Sequence, residues 1–265
     1  MIAFLFRCSL AAALLAVLPP AAAQGAEDAA AQPAPRSERT VKDPRSRARV
    51  HTELGALYFQ NGNIPVAMEE LTVAIHIDPA YGPAYGMRAL VHHFLKEPVH
   101  AEDNFRAALR HAPDDPEIAN NYGWFLCQNE RGKEAMPQFE RALRNPLYPT
   151  PERAHLNAGQ CALRMGQLDL ARGYLNEAYR LSGGNPVVLV QLAELDYRAG
   201  LFDAARTRLV ELAGRAEPDA EALWLGVRIE RRLGNRESEM SYAAQLRRRF
   251  PASKEYQEML KGNYE

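Results

Sequence analysis

Two cysteines, Cys127 and Cys161, stand 34 residues apart, and a histidine pair, His92-His93, precedes them. These are the residue types that could do chemistry. Thiols join as a disulfide or attack an electrophile, and imidazoles hold a metal or move a proton. A catalytic redox thiol is exposed in an electropositive setting, commonly in a Cys-x-x-Cys motif, and the chain has no such motif. Adjacent helical residues point about 100° apart, so His92 and His93 do not converge on one ion. The His-Glu-x-x-His, Gly-x-Ser-x-Gly and P-loop patterns do not occur. The acid pairs Glu69-Glu70 and Asp114-Asp115 read as solvated helix surface and turn residues. No enzyme, cofactor, metal or small-molecule substrate is expected from these residues.

Composition narrows the field further. The chain has 265 residues and a formal net charge of −1, so it lacks the basic excess that phosphate binding needs, and nucleic acid is not expected as a partner. Hydrophobic residues make up 47 %, enough for a globular core, and three cysteines are too few for a small disulfide scaffold. Residues 1–23 read as a secretory signal peptide. Arg7 precedes the apolar "CSLAAALLAVL", Pro19-Pro20 ends it, and Ala21 to Ala23 offer small residues for cleavage before Gln24. A lipoprotein signal needs a cysteine after the apolar core. Cys8 lies ahead of most of that core, so a lipid anchor is not expected unless the true start codon lies elsewhere. Residues 24–47, rich in Ala, Pro and charge, read as a disordered tether.

The elements that position the candidate residues follow from a repeat. With Ala48 as position 1, Gly55, Ala67, Leu71, Ala74 and Pro79 fall at positions 8, 20, 24, 27 and 32. A shift of 34 residues brings Ala89, Ala101, Phe105, Ala108 and Pro113 to the same places, and the next brings Gly123, Ala135, Phe139 and Ala142. After a two-residue insertion within "NPLYPTPE", the frame resumes at Glu152, then at Pro186, and in a worn sixth unit at Ala220, where Glu239 and Ala243 replace the small and bulky residues. This resembles the tetratricopeptide repeat over residues 48–253. The fold class implied is all-α, a superhelix of about six helix-turn-helix units with a concave groove, within a domain spanning 48–265. Small side chains at positions 8, 20 and 27 let helices approach, and large ones fill the space between them. "PASKEYQEMLKGNYE" is expected to add a short capping helix with a frayed end. Pro137, at position 22, is expected to delay the start of its helix or to kink it.

In this frame Trp124 takes position 9 of the third unit, and Phe59 and Phe94 take positions 12 and 13 of the first two, with His93 beside Phe94. In the repeat family position 9 usually faces the groove, and Phe59 and Phe94 lie on the same broad face, so these residues are candidate anchors for an apolar peptide side chain, with Asn120 and Gln128 as polar neighbours. The alternative is that the rings pack between units. Groove exposure predicts that Trp124→Ala weakens binding and leaves melting nearly unchanged. Cys127 and Cys161 fall on corresponding helices of stacked units. With a signal peptide implying an oxidising compartment, a disulfide is the preferred reading, and two buried thiols the alternative. The basic stretches "RIERRLGNR" and "QLRRRF", holding Arg228, Arg231, Arg232 and Arg247, read as a solvated face or a surface for an acidic partner or anionic lipid.

The segments "NNYGWFLCQNERGKEAMPQFERAL", "NAGQCALRMGQLDLA" and "RRFPASKEYQEMLKGNYE" together resemble the type IV pilus biogenesis and stability family of Gram-negative bacteria, over most of the chain beyond residue 47. That resemblance implies a pilotin-like scaffold. It would bind the outer-membrane secretin subunit in the periplasm, at the inner face of the outer membrane, and help it localise and assemble for pilus extrusion. Family members usually carry a lipid anchor, from which this chain departs. A periplasmic adaptor for another envelope assembly is the alternative. A clamp for C-terminal carboxylates would need Lys and Asn where this chain has Thr52 and Ala56.

Overall fold

Short acceptor side chains followed by proline open several of the helices. Asp115 accepts from the backbone N–H groups of Glu117 and Ile118 ahead of a helix whose first residue is Pro116, and Asn185 does the same for Val187 beside Pro186. Proline is suited there because its missing N–H would have had no helical partner. In the computed structural model, which describes residues 43–264, such starts recur through an all-α chain. α1 (Pro44–Gln60) pairs with α2 (Ile64–Ile77), α3 (Gly82–Phe94) with α4 (Pro98–His111), and α5 (Pro116–Gln128) with α6 (Gly132–Leu143). α7 (Pro151–Arg164) pairs with α8 (Leu168–Leu181), α9 (Pro186–Arg198) with α10 (Phe202–Arg215), and α11 (Ala220–Arg232) with α12 (Arg236–Arg249). α13 (Lys254–Lys261) closes the array. Among the described residues there is no strand, and no helix is long and apolar enough to cross a membrane. The expected signal peptide lies outside the described residues, as does most of the expected tether.

Each helix packs chiefly on its own pair mate, and each first helix also touches the first helix of the next unit. The contact that closes a pair is the small-large match read from the sequence. A Cβ on Gly55 would stand 2.8 Å from Leu71 Cγ, one on Gly123 2.8 Å from Phe139 Cε1, and one on Gly159 2.6 Å from Leu175 Cγ. In the sixth unit the match slips by one residue: a Cβ on Gly226 would meet Tyr242 Cδ1 at 2.8 Å. This explains why positions 20 and 24 look worn there while the pair still closes. Between units the core runs on as buried clusters such as Phe105, Phe125 and Phe139.

Three expectations need correction. Residues 44–47, assigned to the tether, are the first turn of α1, because Asp43 accepts from Ser46 N–H at 3.0 Å and Pro44 suits a helix start. α6 does not begin late. It runs from Gly132 with Pro137 inside it, and the carbonyl left without a donor belongs to the exposed Lys133, where water can satisfy it. The last described residues are not loose as expected: after Gly262 the chain folds back and docks Tyr264 on α9 and α11. The insertion is also packed. Tyr148, 5 % exposed, fills the space beside Ala119, Ala142 and Ala154 and donates to Glu117 Oε2 at 3.2 Å. Burial pushes its phenol up to about 12.

Candidate functional site

The first helices of the units share an open face, and α1, α3 and α5 carry an aromatic wall on it. Phe59 on α1 meets Phe94 on α3 edge to face at 5.4 Å. His93, next to Phe94, meets Trp124 on α5 edge to face at 4.9 Å and the buried Phe125 at 5.4 Å. The four side chains therefore form two edge-to-face pairs, Phe59–Phe94 and His93–Trp124, spread over three units, each in the T-shaped geometry that aromatic quadrupoles favour. Phe94 is the most accessible ring, 58 % exposed, while Phe59, His93 and Trp124 are half-buried. Burial, with the Lys96 charge as a smaller cause, lowers the His93 imidazole below its usual value, so at neutral pH the wall presents an uncharged ring.

Trp124 packs on the core cluster of Phe105, Phe125 and Phe139 and remains half-buried. Its truncation would then cost stability as well as ring surface, contrary to the expectation that melting stays nearly unchanged. Asn120 does not belong to the wall. It is 0 % exposed, and its Oδ1 accepts from Asn157 Nδ2 at 3.0 Å, so this amide ties α5 to α7 and cannot reach a partner. Gln128 is exposed at the end of α5, where its Oε1 accepts from Arg164 Nη1 at 2.9 Å. Of the histidine pair, His92 turns away from His93 and hydrogen-bonds Glu97 at 2.7 Å.

Beside the wall, Cys127 on α5 and Cys161 on α7 have their Cα atoms 5.8 Å apart and their sulfurs at bonding distance. They line a cavity of 510 Å³ together with Gln128, Glu130, Gly132, Arg164 and Met165. Cys161 is fully buried and Cys127 nearly so.

Sequence reasoning missed the polar ladder on the other end of the array. Asp196, 2 % exposed, accepts from Arg172 at 2.8 Å, and Glu230, 3 % exposed, takes both Arg206 nitrogens at 2.8 Å. Both acids follow their arginine by 24 residues and fall at position 11 of the next unit, a repeated spacing that could have found them. The four basic residues do not form one free surface either. Arg228 is 11 % exposed and bound to Glu194 at 2.8 Å, and Arg231 pairs with Glu239 at 3.1 Å.

Comparison with known proteins agrees with this architecture. Tetratricopeptide repeat models match residues 100–150, 128–186 and 162–225. The type IV pilus assembly protein PilF of Pseudomonas aeruginosa is 33 % identical over 215 residues, covering 81 % of this chain and 85 % of PilF. Two solved structures superpose closely. PilW, described as a widely conserved type IV pilus biogenesis factor, aligns with a TM-score of 0.76 and 35 % identity over 80 % of this chain and 98 % of that one. The structure of the Pseudomonas aeruginosa PilF aligns with a TM-score of 0.73 and 31 % identity over 83 % and 99 %. Repeat frame, fold and sequence likeness along most of the described residues lead to one conclusion: the chain belongs to the family of type IV pilus biogenesis tetratricopeptide proteins that includes PilF and PilW.

Proposed function

We propose that this protein is a non-enzymatic scaffold of the pilotin kind, which binds the outer-membrane secretin subunit and supports its localisation and multimerisation during type IV pilus biogenesis. The observation that carries this reading is the two aromatic pairs, Phe59–Phe94 and His93–Trp124, on the first three units of a chain in a pilus-biogenesis family. What the pairs offer a partner is ring surface, the currency of protein-protein anchors. An apolar side chain of the secretin would seat between Phe94 and Trp124, with Gln128 at the rim. Asn120 and the sulfurs hold α5 and α7 behind it, and we take Cys127 and Cys161 to be bridged in the working protein. The setting is the periplasm, on the inner side of the outer membrane, following the signal peptide read at residues 1–23. The test is retention: the tagged chain on beads, incubated with detergent-solubilised envelope extract, should hold back the secretin, and Trp124→Ala should hold back much less. Retention of a different envelope assembly protein and no secretin would replace this partner.

A further inference from the structure

After α13 the chain turns at Gly262, where φ is 77°, and runs back across the open face of α11 to α9. The Tyr264 carbonyl accepts from the Tyr197 hydroxyl at 3.1 Å, across 67 residues of sequence. Its ring lies 5.3 Å from the Trp224 ring, and the Arg231 guanidinium lies 3.8 Å over it. Arg228 stands behind, 4.8 Å over Tyr197 and 5.9 Å over Trp224. Trp224 takes position 5 of its unit, and Tyr197 and Arg231 take position 12, places on the same face that carries the aromatic wall at the other end.

The tail, turned by Asn263 N–H to the Glu258 carbonyl and Tyr264 N–H to the Gly262 carbonyl, is held at its tyrosine by the kinds of contact a bound peptide makes. A cation and an indole take the ring, and a side-chain hydroxyl takes a backbone carbonyl. α13, which delivers it, contains no fully buried residue and packs through partly buried side chains such as Tyr256 and Met259. Next to it the face opens into a cavity of 380 Å³ lined in part by Gln160, Glu194, Arg198, Glu221, Trp224 and Arg228. The chain leaves this pocket incompletely satisfied, since the buried Arg228 Nε has no acceptor.

We propose that the face of the fifth and sixth units is a second peptide-binding site, for a short segment presenting a tyrosine, and that residues 262–264 occupy it in cis. Tethering gives the tail an effective concentration on the order of 1 mM. If the free segment binds with a Kd of about 0.1 mM, the tail fills the site about ten to one, and an outside ligand binds about tenfold more weakly than to the vacated site. The site lies at the far end from the aromatic wall and stands whether or not the secretin is the partner there.

The probe is a fluorescein-labelled hexapeptide of residues 260–265, followed by anisotropy. It should bind a chain ending at Lys261 about tenfold more tightly than the intact chain, and a peptide with alanine in place of tyrosine should bind neither. In the shortened chain, Arg231→Ala and Tyr197→Phe should each weaken the binding several-fold. Because shortening could harm folding, full-length Tyr264→Ala serves as the second route, and it should raise peptide binding similarly. Equal binding to intact, shortened and Tyr264→Ala chains, or no binding to a Tyr264→Ala chain that melts like the parent, overturns the proposal.

Discussion

Reduction of the sulfur pair should loosen the array at its centre. Cys127 and Cys161 are separated by 34 residues, and joining them removes loop-closure entropy from the unfolded chain. The chain-entropy relation gives about 12.6 cal/mol/K for that loop, or about 3.8 kcal/mol at 25 °C. For a folded region of this size each kcal/mol moves the melting temperature by about 2–4 °C, so the bridge should be worth about 8–15 °C. In an array whose units contact only their neighbours, the loss falls first on the interface of the third and fourth units, which also holds the buried Asn120–Asn157 bond. The assay is a pair of thermal melts by far-ultraviolet circular dichroism, with and without reductant, on the chain lacking residues 1–23. Thiol counting under denaturing, non-reducing conditions should find none. Two titratable thiols, or melts that coincide within about 2 °C, would refute the reasoning.

Other expectations follow from the same geometry. Gly123→Ala would push a methyl to 2.8 Å from Phe139 Cε1, which is fully buried, and should cost about 1–3 kcal/mol, read as a lower denaturant midpoint. Glu130 sits at φ 61° at a turn where other units place Gly62, Gly166, Gly200 and Gly234 at φ 72–76°. Glu130→Gly should therefore stabilise by about 1 kcal/mol, and an unchanged or lower midpoint would contradict the strain. Burial lowers the imidazoles of His93 and His155, so near pH 6 the folded chain binds fewer protons than the unfolded one. Their contribution is complete above about pH 6.5 and is lost as pH falls below it. The melting temperature should drop between pH 7.5 and 5.5, and both rings should titrate below 6.5 by NMR. Titration of either ring at or above 6.5 would count against burial as the cause.

What could be read from sequence was whatever the 34-residue period carries. Helix pairs and the small-large matches at Gly55, Gly123 and Gly159 recur in frame through the first five units, so the frame located them. The sixth unit looked worn because Gly226 and Tyr242 keep the match one residue early, a shift that counting positions hides. Single-residue burial was less legible. Asn120 and Trp124 lie four residues apart on the same helix, yet one is sealed by Asn157 and the other remains half-buried. That difference depends on the neighbouring unit, not on the residue's own position. Pro137 was open to two readings, a late start or a kink, and the run of α6 from Gly132 excludes the late start. The docking of Tyr264 has no local signal at all, since it joins residues 67 apart outside the period.

Phe94 offers the most direct test of the central claim, that the aromatic wall binds the secretin. Its ring is 58 % exposed and closes no core, so Phe94→Ala should leave the melt within about 2 °C of the parent. Covering that ring in a complex is worth about 1–2 kcal/mol, so its loss should weaken binding about 5- to 30-fold. Purified secretin passed over the immobilised chain in surface plasmon resonance measures this. The account predicts saturable binding by the parent and a 5- to 30-fold higher Kd for Phe94→Ala. No binding by the parent, or an unchanged Kd for the variant, would contradict it.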